Sequence, residues 1–328
     1  MKALVLEAAG RLVMKECEKP EPQAGEVLVM TKAATICTSD ITDIERNPWG
    51  IKLPMIMGHE GAGVIEAVGA EVTGYAPGDE IAAHPVIPCY KCASCRRGFS
   101  HLCDDMSHFG IDIGGVFAEY FVIRADRIRK KPAGMSFAAA TLMEPVCVCI
   151  QAINRANVAD GANTLIIGDG PFGIMTANIC RAMYPGNRIS IMGKYDFRLS
   201  HAGDVEKINI SGGGKLSHDD IDSAILCAGT ADALDTAVQA CRSRGTICVF
   251  SAIHEKAPVD LFKVHVKELN ICGSCNDMDY LDDAMAILAS SGIAGVITHE
   301  LPFDEYRRAF ELASGRKSEA LKVSMVFE

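Results

Sequence analysis

The stretch that most limits the fold of this chain is Thr164-Leu165-Ile166-Ile167-Gly168-Asp169-Gly170-Pro171-Phe172-Gly173. Its apolar start reads as a buried strand, and Phe172 to Met183 reads as the helix that follows. Between them the glycines fall as G-x-G-x-x-G. Gly168 permits the turn, Gly170 lets backbone approach a pyrophosphate, and Gly173 lets the helix pack on the strand. Pro171 and Phe172 open the helix, whose first amides face the phosphate charge. A glycine-rich turn without a ligand is the alternative reading. Downstream, strands are expected at Arg188 to Met192, Ser223 to Leu226, Thr246 to Phe250 and Leu269 to Cys272. Strands alternating with helices predict a parallel sheet covered on both faces.

Residues 1–144 have a different texture. Short apolar runs such as Val27 to Met30, Gly63 to Ile65 and Val116 to Val122 are separated by turn signals, among them Ala76-Pro77-Gly78-Asp79. A buried helix is expected from Cys147 to Arg155. Helices at Tyr280 to Ala289 and Phe303 to Ala313 precede a last strand, Leu321 to Phe327. At 328 residues the chain exceeds one ordinary domain. The expected partition is a β-rich domain of residues 1–144 rejoined by 276–328, with an α/β domain over 145–275.

The net charge of −10 argues against nucleic acid or an anionic membrane as a partner. No apolar run reads as the roughly 20 residues needed to span a bilayer. Met1 to Glu7 reads as a first strand rather than a signal peptide. The expected compartment is the cytoplasm, so the fourteen cysteines read as ligands or small core residues rather than disulfides.

Four of them, Cys89-x2-Cys92-x2-Cys95-x7-Cys103, lie in a lobe of residues 88–104 with the spacing of a tetrahedral zinc site. Lys91, Arg96 and Arg97 make the segment too polar for a core, and nearby cations favour thiolates. A redox role for a Cys-x-x-Cys pair is the alternative. Four thiolates leave no open position, so such a zinc is structural.

A catalytic zinc takes about three protein ligands and keeps one position open. Candidates are Cys37, the adjacent His59 and Glu60, and Glu144. They are distant in sequence, so spacing does not show that they converge. A His-Glu pair by itself is usually a solvated loop.

The end of the second strand of the parallel sheet bears on the cofactor. An acidic residue there binds the ribose 2′-hydroxyl of NAD. Gly193 falls at that position, with Lys194 next and Arg198 five residues on. A missing carboxylate beside cations favours NADP over NAD. Asp196 is the residue that opposes this.

Taken together, these motifs resemble the zinc-dependent medium-chain alcohol dehydrogenases over essentially the whole chain. The resemblance lies in Cys37-Thr38-Ser39-Asp40, Gly58-His59-Glu60 with Gly63, Gly69 and Val72, the four-cysteine lobe and the Gly168–Gly173 turn. The tail adds Lys267 to Ser274 and Ile297-Thr298-His299. Glu144-Pro145 is similar to the polyol (sorbitol-type) and threonine dehydrogenase branch. The resemblance implies an α/β protein with a GroES-like β-rich catalytic domain and a Rossmann doubly wound parallel-sheet domain. It also implies two zinc ions per chain, NAD(P), a small-molecule alcohol or polyol substrate, and a homodimer or homotetramer.

Carried onto this sequence, Cys37 and His59 become zinc ligands, Glu60 a direct or exchanging one, and Glu144 a direct or water-bridged one. Asp40 resembles the carboxylate that orients the zinc-bound histidine, and Ser39 the hydroxyl that takes the substrate proton. Two departures stand out. Thr42 replaces the family's relay histidine, and Arg198 to Asp222 is short, with Gly212-Gly213-Gly214 in place of helix.

The implied activity is reversible oxidation of a secondary alcohol (polyol, sugar or cyclitol) to a ketone with hydride transfer to NAD(P). Threonine-type amino alcohols are the close alternative. A non-catalytic, nucleotide-binding zinc protein is the alternative from another class. Glu60, Glu119 and Glu144 are candidate polar contacts for substrate, with Trp49 and Phe109 as pocket wall. For Glu119 the competing reading is a solvated strand residue, and for the aromatics it is core.

Overall fold

In the computed structural model, which describes residues 1–253, 256–315 and 319–328, the chain divides into two units. Met1–Glu144, Leu281–Ser290 and Ile297–Glu328 form the first, and Pro145–Tyr280 with Ser291–Val296 the second. The tail thus rejoins the first unit at Leu281 rather than at 276. Residues 291–296 stay with the second because the 3-10 turn Gly292–Val296 packs on helix Pro171–Met183, burying Ile293 and Val296.

The first unit is built on strand Glu26–Ile36, whose apolar residues are buried along most of its length. It pairs antiparallel with Glu60–Val68, Tyr120–Arg124 and Lys322–Val326. Thr35 lies opposite both Glu60 and Ser324, so three segments remote in sequence end side by side. Leu4, Leu6, Val29, Ile65, Phe117 and Phe121 are among the buried side chains of its core. The strand expected at Val116 to Val122 instead runs Tyr120–Arg124. Val116 and Phe117 are diverted because their amides donate to the carbonyls of Gly58 and Met57, bracing the loop before His59.

The second unit is a six-stranded parallel sheet with the strands Glu206–Asn209, Arg188–Gly193, Asn163–Ile167, Ile221–Leu226, Cys241–Val249 and Asn270–Gly273 in that spatial order. The order reverses around Asn163–Ile167, the arrangement that places a nucleotide beyond the carboxyl ends of the strands. This is the Rossmann topology. Strand Glu206–Asn209 was not expected; at four residues, three of them polar, it carries too little pattern to be read.

One expectation about membranes needs correction. Phe137–Arg155 is long and apolar enough to cross a bilayer by length and composition. It is 89% buried inside the protein and broken into two helices, Phe137–Ala140 and Met143–Arg155, which accounts for its apolarity as core. Among the described residues all fourteen cysteines are free thiols.

At the turn after Asn163–Ile167, a Cβ on Gly173 would lie 1.9 Å from the carbonyl oxygen of Gly168, a backbone atom with little room to yield. The substitution Gly173→Ala should therefore lower stability by about 1–3 kcal/mol. Denaturant unfolding would measure this, and an unchanged midpoint would contradict the close packing of helix on strand.

Candidate active site

Cys37 directly follows the central strand of the first unit and caps helix Thr38–Arg46. Asp40, in the first turn of that helix, is buried and faces two ways. Its Oδ2 accepts the Cys37 amide at 2.8 Å, and its Oδ1 lies 3.0 Å from His59 Nδ1. The carboxylate holds Nδ1 and leaves Nε2 as the ring atom available to a metal. Burial works against a charged His59, but the charge and hydrogen bond of Asp40, with Cys37, raise its pKa well above the ordinary value. Gly58, at φ +93°, turns the chain into this site where a Cβ would meet the Phe117 ring at 2.4 Å.

The ligand atoms of Cys37, His59 and Glu60 all lie within 4.8 Å of one another. Sulfur, imidazole nitrogen and carboxylate oxygen form a donor set suited to zinc. Glu60 has other partners as well. Thr35 Oγ1 donates to its Oε2, and Lys322 Nζ lies 2.5 Å from its Oε1. Both members of that ion pair are almost completely buried. Burial disfavours the Lys322 charge, but Glu60 above all, then Cys37 and Glu144, push its pKa above the ordinary value. Glu144 is buried in the first turn of Met143–Arg155 and stands outside the group of three.

Ser39 is exposed on the first turn of its helix, and Thr42 donates to the Thr38 carbonyl at 3.2 Å, tying its hydroxyl to its own helix. Phe109 is fully buried edge-to-face on Phe121, and Glu119 accepts the Lys2 amide at 2.8 Å, so both serve packing and pairing. Trp49 is exposed.

Sequence reasoning missed two neighbours of this site. A lysine inside the apolar run Leu321 to Phe327 was the available signal for Lys322. His108, whose ring centroid is 5.6 Å from that of His59, gave none. Its Nδ1 lies 2.7 Å from the Phe109 carbonyl, which only accepts, so Nδ1 is the protonated nitrogen. Burial, helped by the nearby His59, pushes the His108 pKa down to about 3, so the ring is neutral.

The ligand atoms of Cys89, Cys92, Cys95 and Cys103 likewise lie within 4.8 Å of one another. The Cys103 sulfur is 3.4 Å from that of Cys89 and 3.8 Å from that of Cys92. Four sulfurs at about 2.3 Å from a central zinc would be about 3.8 Å apart, close to these spacings. Backbone amides point at the sulfurs: Lys91 and Cys92 donate to Cys89, Cys95 and Asp104 to Cys92, and Cys89 and Asp105 to Cys103. Such donors, the Lys91 amide foremost, bring the Cys89 thiol down to about 7.

In the second unit Gly170 caps helix Pro171–Met183, with Pro171 at its start and Phe172 edge-to-face on Phe250. Gly193 ends its strand as expected, followed by an exposed Lys194. Arg198 lies over the Tyr195 ring, 5.1 Å from its centroid. Asp196, the carboxylate set against NADP, accepts a hydrogen bond from Asn209 at 2.6 Å. Asp169, given no role from sequence, crosses to the end of the Gly193 strand. Its Oδ2 accepts the amides of Lys194 at 2.6 Å and Tyr195 at 2.8 Å.

Residues 23–133 match the alcohol dehydrogenase GroES-like domain. An L-threonine 3-dehydrogenase of Pyrococcus horikoshii is 31% identical, over 92% of this chain and 92% of that protein. An L-idonate 5-dehydrogenase of Vitis vinifera is also 31% identical, over 91% of this chain and 87% of its own length. Among solved structures, an Escherichia coli alcohol dehydrogenase complexed with NADH superposes with a TM-score of 0.89 at 27% identity, covering 100% of this chain and 99% of that one. With this fold and these ligand groups, the chain belongs to the zinc-dependent medium-chain alcohol dehydrogenases, in their polyol and threonine branch. It is an oxidoreductase that acts on alcohols with NAD(P).

Removing one member of a buried ion pair leaves the other charge uncompensated. Lys322→Ala should therefore cost about 3–5 kcal/mol. Urea unfolding would register it, and a loss below that of an ordinary surface substitution would show that Glu60 does not depend on Lys322.

Proposed function

We propose that this enzyme reversibly oxidises a secondary alcohol of a polyol, sugar or cyclitol to the ketone. The observation that carries the catalytic assignment is the buried convergence of Cys37, His59 and Glu60. In this reading Cys37 and His59 hold a catalytic zinc, and Glu60 exchanges between the metal and Lys322. Glu144 completes the set directly or through a water. Zinc held there supplies Lewis acidity that makes an alcohol hydroxyl a stronger acid. NAD(P) held on the Gly168–Gly173 turn would supply the hydride acceptor, and the protein its orientation.

Asp40 keeps the His59 ring aligned. Ser39, exposed at the start of its helix, takes the substrate proton and passes it to water or the cofactor ribose. Thr42, bonded to Thr38, does not relay it. Cys89, Cys92, Cys95 and Cys103 hold a second, structural zinc, giving two per chain.

The dinucleotide lies on the Gly168–Gly173 turn, along Gly168, Gly170, Pro171, Phe172 and Gly173, with its adenosine ribose by Gly193, Lys194 and Arg198. The NADH bound by the Escherichia coli neighbour supports a nicotinamide dinucleotide as the cofactor. The expectation of NADP turns on the surroundings of Gly193. Free thiols throughout the described chain fit a cytoplasmic enzyme. The open edge of strand Asn270–Gly273, with Ile271 exposed, suits a homodimer or homotetramer. A threonine-type amino alcohol is the second reading, favoured by the Pyrococcus relative at the same 31% identity as the idonate enzyme.

Metal analysis with an alcohol panel tests the proposal. Two zinc ions per chain are expected, with faster cofactor reduction on polyols than on threonine or simple alcohols. Cys37→Ala should lose one zinc and abolish turnover while dinucleotide binding persists. Cys92→Ala should lose the other zinc and lower the melting temperature. One zinc per chain and no turnover on any alcohol would favour a nucleotide-binding scaffold, and full activity of Cys37→Ala would overturn the mechanism.

A further inference from the structure

We infer that Asp169 supplies the carboxylate that the Arg188–Gly193 strand lacks at its end, and that it makes this enzyme prefer NAD to NADP. The inference rests on the dinucleotide placement proposed above and reverses the cofactor expectation drawn from Gly193, Lys194 and Arg198. A side chain at position 193 has no room. Its Cβ would fall 2.4 Å from Asp169 Cβ and 2.7 Å from Asp169 Oδ2. The space where an acidic residue would begin at the strand end is filled by an acid reaching across from the glycine turn.

The Asp169 contacts suit the ribose and oppose a phosphate. The amides of Lys194 and Tyr195, donors that a 2′-phosphate at this strand end would call on, already bind Oδ2. Among the described residues Oδ1 has no protein partner, and it is not one of the buried unpartnered atoms, so solvent reaches it and it can accept from a 2′-hydroxyl. A 2′-phosphate brought there would meet a carboxylate within contact distance, a like-charge juxtaposition in a largely buried setting.

The other charged residues do not reverse this. Arg198 is drawn over the Tyr195 ring, and Asp196 is engaged by Asn209. Lys194 remains exposed beside the site, but its backbone serves Asp169. A phosphate and an exposed lysine attract each other through water, where screening is strong.

The test is calorimetric titration of the zinc-loaded protein with NADH and with NADPH, read as dissociation constants. The wild type should bind NADH at least about tenfold more tightly, on the scale of a like-charge clash. Asp169→Asn, which keeps an acceptor for the two amides but removes the charge, should narrow that ratio by about tenfold, chiefly through tighter NADPH binding. Asp169→Ser serves the same purpose should the first variant not fold. Tighter NADPH than NADH binding by the wild type would overturn the inference. So would an unchanged ratio in a variant that melts like the wild type. Binding of neither dinucleotide by the wild type would instead overturn the placement itself, and the inference with it.

Discussion

Lys322 and Glu60 meet where water does not reach, and neither charge is tolerable there without the other. This constraint ties the last strand to the strand beginning at Glu60, with Thr35 paired to one and facing the other. A one-residue slip in either ladder would turn the lysine or the glutamate to the opposite face and strand its partner. Correct register thus also places Cys37, one residue beyond the central strand, beside His59 and Glu60. Asp40 extends the same logic, with one carboxylate fixing both the helix start and the imidazole.

Much of this was legible in the residues. Four cysteines at close spacing and a glycine turn between an apolar strand and a helix each carry a local signature. The structure places both motifs where that local chemistry requires. The candidate metal ligands were legible as types but not as a set, because Cys37, His59 and Glu60 are brought together by strand pairing that no local pattern encodes. Lys322 escaped notice for the same reason. Its partner lies 262 residues away, and only the sheet register reveals the match. Phe109 and Glu119 each had two readings from sequence, and in the structure packing claims the one and a strand amide the other.

The glycine at 193 shows how the meaning of a sequence position depends on the residue packed against it. Its missing side chain looked like a missing charge. The adjoining turn supplies that charge through Asp169, and the glycine is what leaves space for it. Position 193 and position 169 thus share one space between two loops, and neither residue type has a fixed meaning without the other.

The return of the chain at Leu281 has a consequence for how the protein is made. Glu60 lies in the first fifth of the chain, and the lysine that balances it lies 262 residues later. During synthesis the first unit must therefore wait with its central sheet unfinished while the whole second unit, Pro145–Tyr280, is made and free to fold. Until the last strand arrives, Glu60 has no lysine and keeps its hydration, and the sheet stays open along one edge. Completion of the buried Glu60–Lys322 pair thus waits for the last strand, Lys322–Val326, and a chain lacking that strand would keep its glycine turn while losing the balanced interior around Glu60.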